Sequence, residues 1–391
     1  MRILKIGAGV GLTILCLWLA FRGTSPANVA AKLAGADYRT VPIMLGLLAV
    51  VFAMKTYRWA LILRPLARLS SREVFPALII GFMGNNIYPL RLGEGMRCLV
   101  LAKQYPVSAV GVLSTLFLER VLDVTSVLIL LLVSLTALPD LQDAIGGAGL
   151  LTAVWTAAIA ITIAVAFMIL YVFRTDYFIR AAEKVIEVLP FVPESSKVRV
   201  EGLLEAGSLG MGTLRDPVLA TQIVALSLGQ WVVVSATAYT ALRAFDIDVG
   251  VAASLMVNSV TALGVAAPSA PGFFGIVQYC FRLCLTPLGV SAENAVAASW
   301  YYHLCHYVPV TVVGLFFLHR VGMSLSRLSE AVEKEGEELN SELESMQKTS
   351  AHGDIRRVDY AETIANSSVA INFESHINMG EQPAPKNDIS L

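Results

Sequence analysis

Apolar residues along the chain fall into runs of about 20, the length that crosses the hydrocarbon core of a bilayer as a helix. Most of these runs are separated by stretches that contain charged residues. The pattern predicts membrane spans at residues 1–21, 41–58, 121–138, 150–173, 218–242 and 295–318. We interpret the first span as an anchor helix and keep a cleaved signal peptide as the alternative.

Two further apolar segments, 74–106 and 249–289, are interrupted by Gly, Pro and Asn residues. These interruptions predict hairpins that enter the membrane and turn back, because proline and glycine end helices. A helix with ionisable residues follows each hairpin. The residues expected at the two turns are Pro89 and Gly93 in the first, and Pro268, Pro271, Gly272 and Gly275 in the second.

The distribution of Lys and Arg orients the chain. Residues 55–72 carry five cations and no acid, which predicts a cytoplasmic segment, whereas the loop 139–145 carries two acids and no cation and should lie outside. We therefore expect a multi-pass protein of the inner (cytoplasmic) membrane with both termini in the cytoplasm. The hairpins then enter from opposite faces, as in an inverted repeat. The expected fold is an all-α polytopic membrane protein with six to eight membrane segments.

Composition agrees with this class. The 391 residues are 56% hydrophobic and 15% charged, with a mean hydropathy of +0.66. A net charge of -1 offers no basic surface for a phosphate backbone, which excludes nucleic-acid binding. The five cysteines lie in apolar stretches and are expected to be buried thiols, not a disulfide framework. The sequence has no phosphate-loop or dinucleotide motif, so we expect no cofactor.

Charged residues in and after the first hairpin form the candidate binding site. One charge at bilayer depth costs roughly 2.5 to 3.5 kcal/mol, so several together should face one another or a wet cavity. We expect contact with substrate from Asn85, Asn86, Arg91, Glu94, Arg97, Glu119, Arg120 and Asp123.

Two interpretations of these residues stay open. Arg91 and Arg97, beside the amino end of a broken helix, suit a phosphate or carboxylate, but the same stretch also fits a loop with solvated charges. A second group, on the helix after the hairpin, consists of Glu119, Arg120 and Asp123. These three residues lie within about one helical turn and either contact substrate or form a structural clamp. In the clamp, Arg120 is neutralised by Asp123 and Glu94, and both roles are compatible.

His303 and His306 lie in the last predicted span. A proton-titrating role is a candidate for them, because histidine changes charge near neutral pH. Ordinary packing against the second hairpin is the alternative. No carboxylate accompanies them, so no metal site is expected.

The character of the chain changes near residue 320. We divide it into a membrane domain at residues 1–320 and a segment 321–391 that begins as an acidic helix and continues as a disordered cytoplasmic tail. The acidic helix is a candidate surface for a cytoplasmic protein partner.

Three motifs together resemble the lysylphosphatidylglycerol synthase transmembrane (flippase-like) family. They are N-x-x-x-P-x-R-x-G-E-x-x-R at residues 85–97, E-R-x-x-D at 119–123 and P-x-x-P-G-x-x-G at 268–275. The resemblance covers about residues 5–320. It departs from the family pattern where Phe273 replaces a glycine and Gln278 replaces an acid, which weakens any second acidic site there.

The resemblance implies a domain that moves aminoacylated phosphatidylglycerol between leaflets. In the best-known members, a separate soluble domain makes that lipid, and we expect this chain to lack it. The expected function is therefore binding and translocation of a membrane lipid with a charged or polyol headgroup. The alternatives are a non-transporting scaffold or partner of a lipid- or glycan-modifying enzyme, and a lysyltransferase-type or glycosyltransferase enzyme.

Overall fold

The computed structural model describes residues 2–107, 109–138, 216–267 and 270–332, with isolated positions at 152, 155, 156, 159, 163 and 334. Its helices are α1 (Arg2–Phe21), α2 (Pro26–Ala34), α3 (Val41–Ile62), α4 (Ser71–Ile87), α5 (Leu92–Gln104), α6 (Ala109–Thr136), α7 (Pro217–Arg243), α8 (Gly250–Gly264), α9 (Ile276–Leu285) and α10 (Ala292–Arg320). The predicted all-α class is confirmed.

Long apolar helices make the chain a polytopic membrane protein. Three of them, Tyr38–Ile62, Pro217–Arg243 and Ala292–Arg320, are long and apolar enough to cross a bilayer. Helices α1 and α2 form a fourth span if their 77° bend lies within one broken crossing. Helix α6 has 28 residues but carries three charges in its middle. The predicted span at 150–173 lies outside the described ranges.

Hairpin 1 consists of α4, a short 3₁₀ turn at Pro89–Arg91 and α5. Its helices cross closely at two glycines. A Cβ atom added to Gly84 would lie 2.8 Å from the Cα atom of Gly93, closer than real side chains approach. Glycine at these two positions therefore lets α4 and α5 fold back on each other within the membrane.

Hairpin 2 consists of α8, a 3₁₀ turn at Pro271–Phe273 and α9. Gly272 and Gly275 have φ angles of 71° and 87°, which explains why the turn uses glycine. The side chain of Gln278 accepts a hydrogen bond from the Gly275 amide at 2.7 Å and so caps α9. Pro268, the remaining residue predicted at this turn, lies outside the described residues.

Helix α10 contacts hairpin 1 along its carboxyl-terminal half. The ring centres of Phe75 and Phe317 are 5.2 Å apart, near the start of α4 and the end of α10. Nearer the turn, the side-chain amide of Asn86 donates to Thr311 at 3.0 Å. Hairpin 1 therefore enters from the carboxyl-terminal end of α10.

Hairpin 2 packs on the other half of α10. Phe281 stacks on Tyr302 with ring centres 5.1 Å apart, and Phe274 lies 4.6 Å from the His303 ring. The two turns meet between these regions, where Arg91 donates a 2.5 Å hydrogen bond to the carbonyl of Val265. The hairpins thus approach from opposite ends of α10 and touch near its middle, as the predicted arrangement requires.

Two helical segments outside the predicted spans also pack on the bundle. The segment after α1 contains α2, which starts at Pro26 and buries Val29 against α10 residues Val296 and Ala297. Residues 325–332, the start of the acidic segment, are helical and pack on hairpin 1. Leu328 is fully buried there.

Candidate functional site

A group of charged side chains lies between helices α3, α5 and α6. We define the charge cluster as Lys55 and Arg58 from α3, Arg91 from the turn of hairpin 1, Glu94 and Arg97 from α5, and Glu119, Arg120 and Asp123 from α6. Glu119 and Asp123 are one helical turn apart and are both buried, on the side of α6 that meets α3.

Arg97 and Glu119 form the best-aligned ion pair of the cluster. The two Nη atoms of Arg97 donate to the two carboxylate oxygens of Glu119, at 3.2 and 2.8 Å. The guanidinium also stacks on Trp59, 3.4 Å from the ring centre. Both charged side chains are at most 3% exposed. This bidentate geometry is the one that suits a pair removed from water.

Asp123 is held by groups from two other helices. One of its oxygens accepts hydrogen bonds from Arg58 at 2.7 Å, from Gln230 at 2.8 Å and from Trp231 at 3.1 Å. Arg58 also lies 3.4 Å from Glu119. Arg58, Arg97, Glu119 and Asp123 therefore form a buried layer whose formal charges cancel.

Arg91, Glu94 and Arg120 form a second, accessible layer. Their side chains are between 28% and 36% exposed. Arg120 lies 3.6 Å from Glu94, 3.5 Å from Glu119 and 3.9 Å from Asp123, and Arg91 lies 3.9 Å from Glu94. These separations exceed those of a good hydrogen bond, so the layer is neutralised loosely and carries one excess positive charge.

Lys55 adds a further cation. Its ammonium group lies 5.4 Å from the centre of the Phe82 ring and 5.3 Å from the centre of the Trp231 ring, in cation–π contact with both. The cluster as a whole has five cations and three carboxylates, a formal charge of +2. Among the described residues, four buried guanidinium nitrogens have no hydrogen-bond partner, namely Nε and Nη2 of Arg58, Nε of Arg97 and Nε of Arg120, against two buried carboxylate oxygens, one each of Glu94 and Asp123. The site is therefore suited to an anion.

The structure brings together six of the eight residues selected from the sequence. Arg120 lies near both Glu94 and Asp123, the partners assigned to it in the clamp. The other two residues of the set are elsewhere: Asn86 donates to the backbone of Tyr307 and to Thr311 on α10. Asn85 lies at the crossing of hairpin 1, and its buried side-chain oxygen has no hydrogen-bond partner in the part of the chain that the structure describes.

Lys55 and Arg58 were absent from the predicted site. The sequence analysis placed both at the cytoplasmic end of the span 41–58 and assigned them no partners, whereas α3 continues to Ile62 and buries them. A usable signal exists: two cations three residues apart in an apolar helix need acids as partners, and the apolar run of α6 carries two, Glu119 and Asp123.

The two histidines lie away from the charge cluster. His303 is 3.2 Å from the side-chain nitrogen of Gln278 in hairpin 2, and His306 is 3.1 Å from the hydroxyl of Thr237 and 2.8 Å from the carbonyl of Tyr302. In the ranges that the structure describes, no three His, Cys, Asp or Glu side chains are grouped as metal ligands.

The profile of the lysylphosphatidylglycerol synthase TM region matches residues 6–314, which include the charge cluster and both hairpins. The chain belongs to this family. No solved structure gives a significant match to this family member.

Two curated relatives of this family member are archaeal. The chain is 28% identical over 361 residues to glycosyltransferase AglD of Haloferax volcanii, covering 86% of this chain and 57% of AglD. It thus spans little more than half the length of that relative. It is 22% identical over 326 residues to a UPF0104 membrane protein of Methanothermobacter thermautotrophicus, covering 81% of this chain and 95% of that protein.

Proposed function

We propose that the protein binds the anionic headgroup of a membrane lipid at the charge cluster and moves the lipid between leaflets. The observation that supports this most strongly is the uncompensated charge of +2 inside an apolar helix bundle. Unpaired charge is costly at membrane depth, so a site of this kind is usually part of a substrate pathway.

The accessible layer is the part of the cluster that suits the headgroup. Arg91 and Arg120 present two guanidinium groups with one carboxylate, Glu94, between them. A phosphate bound there would replace long ion pairs with charge-assisted hydrogen bonds. The neutral layer behind it, built on Arg58 and Asp123, keeps the wall of the site in place when no lipid is bound.

The hairpins provide a route. They enter from opposite ends of α10 and meet at Arg91 and Val265, near the middle of the helix, and the charge cluster lies on the hairpin 1 side. Sites between opposed broken helices are typical of proteins that expose one site alternately to the two sides of a membrane. In our proposal, the chain lies in the cytoplasmic membrane with both termini inside, the orientation that Arg64, Arg68 and Arg72 favour.

A second candidate cargo is a lipid that carries a sugar. It is favoured by the similarity to a protein named as a glycosyltransferase. A role as the membrane partner of a glycan-modifying enzyme belongs to the same alternative. The cluster fits this cargo as well where the sugar is joined to the lipid through a phosphate.

Translocation of fluorescent lipids in liposomes tests the proposal. Purified protein is reconstituted with phosphatidylglycerol or phosphatidylcholine that carries an NBD fluorophore on one acyl chain, and the fluorophore of lipid reaching the outer leaflet is reduced with dithionite. We expect the protein to move phosphatidylglycerol, Arg91→Ala to abolish movement and Arg91→Lys to be intermediate, because lysine keeps the charge without the planar two-point contact.

The control is Arg243→Ala, which removes an exposed cation that pairs with Asp248 outside the cluster. It should leave movement unchanged. Parent-rate movement by Arg91→Ala, or no movement by the parent with any lipid, would favour the scaffold role instead.

A further inference from the structure

An apolar groove lies between helices α3, α4 and α10, on the side of α3 away from the buried layer. Its volume is about 790 Å³, within the range of small-molecule pockets. Two small residues of α3, Ala49 and Ala53, form part of its wall, and Val313 and Phe317 of α10 line it from across. The small side chains of α3 and the bulky ones of α10 leave a slot between the helices.

The polar lining residues of the groove are concentrated at one of its ends. Tyr57, Ser71 and Arg72 lie at one end, where α3 finishes and α4 begins. The lining residues towards the other end, such as Leu45 and Ile79, are apolar. A phospholipid has the same gradient, with a charged phosphate at one end of an apolar chain.

Length and charge agree with this ligand. The lining residues of α3 extend from Leu45 to Tyr57, about 18 Å at the rise of an α-helix, against roughly 15 Å for the hydrocarbon half of one leaflet. The polar end is also the basic end, because exposed Arg64 and Arg68 lie in the segment that joins α3 to α4. A negatively charged headgroup is therefore favoured there over a neutral one.

The groove adjoins the charge cluster through two aromatic rings. Phe52 lines the groove and meets Phe82 edge-to-face, with ring centres 5.3 Å apart. Phe82 in turn contacts the ammonium group of Lys55, which belongs to the charge cluster. A lipid in the groove would thus be separated from the cluster by one aromatic pair.

We propose that the groove holds an acyl chain of a phospholipid from the leaflet at its Arg72 end, with the phosphate at Arg72 and Ser71. In this position the lipid waits beside the charge cluster before its headgroup enters. The waiting role rests on the proposed translocation, whereas occupancy of the groove does not.

Photo-crosslinking tests occupancy. The full-length protein is placed in phosphatidylcholine vesicles that contain phosphatidic acid with a diazirine on its acyl chain, and crosslinked peptides are mapped by mass spectrometry. We expect labelling on the groove face of α3 and on α10. Ala49→Trp, which fills the slot, should remove it, and Ala53→Leu provides a smaller filling change if the tryptophan variant does not fold.

The matched control is Val50→Trp, which adds the same ring at the neighbouring, 48% exposed position of α3 that does not line the groove. It should keep the labelling. If a folded Ala49→Trp or Ala53→Leu protein were labelled as strongly as the parent, the groove would not be the binding site. The same conclusion would follow if Val50→Trp lost as much labelling as the filling variants.

A separate substitution tests whether the phosphate binds at Arg72. Arg72→Gln should weaken labelling by the phosphatidic acid probe about tenfold, the factor for one lost charge-assisted contact, and should leave a diacylglycerol probe unchanged. Arg68→Gln, in the same basic segment but outside the groove, is the control. If Arg72→Gln changed labelling by both probes equally, binding of the phosphate at Arg72 would be refuted.

Translocation is measured in the same vesicles. A parent protein that is labelled in the groove but moves no lipid would refute the proposed function and leave the groove site standing. A filled variant that loses labelling but moves lipid at the parent rate would refute the waiting role.

Discussion

Replacing Arg97 with glutamine removes the central ion pair of the buried layer. Within the described residues, Arg97 supplies both side-chain hydrogen bonds that Glu119 accepts. After the substitution, the nearest cations to Glu119 are Arg58 at 3.4 Å and Arg120 at 3.5 Å, neither in hydrogen-bonding geometry. A carboxylate that is 1% exposed is thus left with weaker neutralisation.

The expected cost follows from burial. Breaking a buried ion pair by removing one partner costs about 3 to 5 kcal/mol, because the remaining charge stays desolvated. Loss of the stacking on Trp59 adds to this, since cation–π contacts away from water contribute about 2 kcal/mol. The two remaining cations offset part of the loss, so we expect a total near 4 kcal/mol, estimated from these ranges. This corresponds to a drop in apparent melting temperature on the order of 10 °C.

The assay is thermal unfolding in detergent, followed by fluorescence-detected size-exclusion chromatography. Arg243→Gln, at an exposed ion pair, is the control and should stay within about 1 kcal/mol of the parent. The double variant Arg97→Gln with Glu119→Gln should lose less stability than the two single variants added together, because it leaves no unpaired acid. Additive losses, or an Arg97→Gln protein as stable as the parent, would refute the buried pair.

Three further predictions concern the accessible layer, the hairpin crossing and the topology. Arg120→Gln should keep stability within about 1 kcal/mol, because its side chain is one third exposed and its ion pairs are long, yet it should lose lipid movement in liposomes. Gly93→Ala should lower the melting temperature, since its Cβ atom would lie 2.6 Å from a backbone nitrogen, whereas Gly46→Ala, with nothing within 4 Å, should not. In a cysteine-free background, Gln104→Cys and Thr286→Cys should react with an impermeant thiol reagent from opposite sides, and labelling from one side would contradict the opposed hairpins.

The topological test does not use Cys98, although it lies in hairpin 1. Its side chain is only 5% exposed, so an aqueous reagent would not reach it whatever the orientation. Gln104 and Thr286 are exposed and lie at the open ends of hairpins 1 and 2.

Local signals predict the hairpins well. Pro89 and Gly93, or Pro271 and Gly272, interrupt an apolar run, and the chain turns within a residue or two of each. The burial of the carboxyl-terminal end of α3, in contrast, depends on residues far away in the sequence. Arg58 lies inside the helix, where its partner Asp123 stands 65 positions later, and a count of cations along the segment assigns it to the cytoplasmic side without revealing that partner.

The candidate site is likewise predictable from the sequence only in part. Glu119, Arg120 and Asp123 are recognisable because they stand close together in an apolar helix. Which acid pairs with which cation depends on how α3, α5 and α6 approach one another, which spacing along the chain does not encode. Gln230, a neutral residue of α7, has no sequence signal that links it to Asp123.

The proline within α10 sets where that helix can bend. Pro309 has no N–H to donate, so the carbonyl of Cys305 lacks its helical partner, close to the level at which the hairpin turns touch. Most contacts of hairpin 2 lie before this position and most contacts of hairpin 1 lie after it, so the two halves of α10 would act as arms that part the turns if the helix bent there. A bend of about 10° there would part turns that lie about 10 Å from the helix axis by about 2 Å. That opening exceeds what the 2.5 Å hydrogen bond between Arg91 and Val265 can tolerate, while the packing of each hairpin on its own arm is preserved.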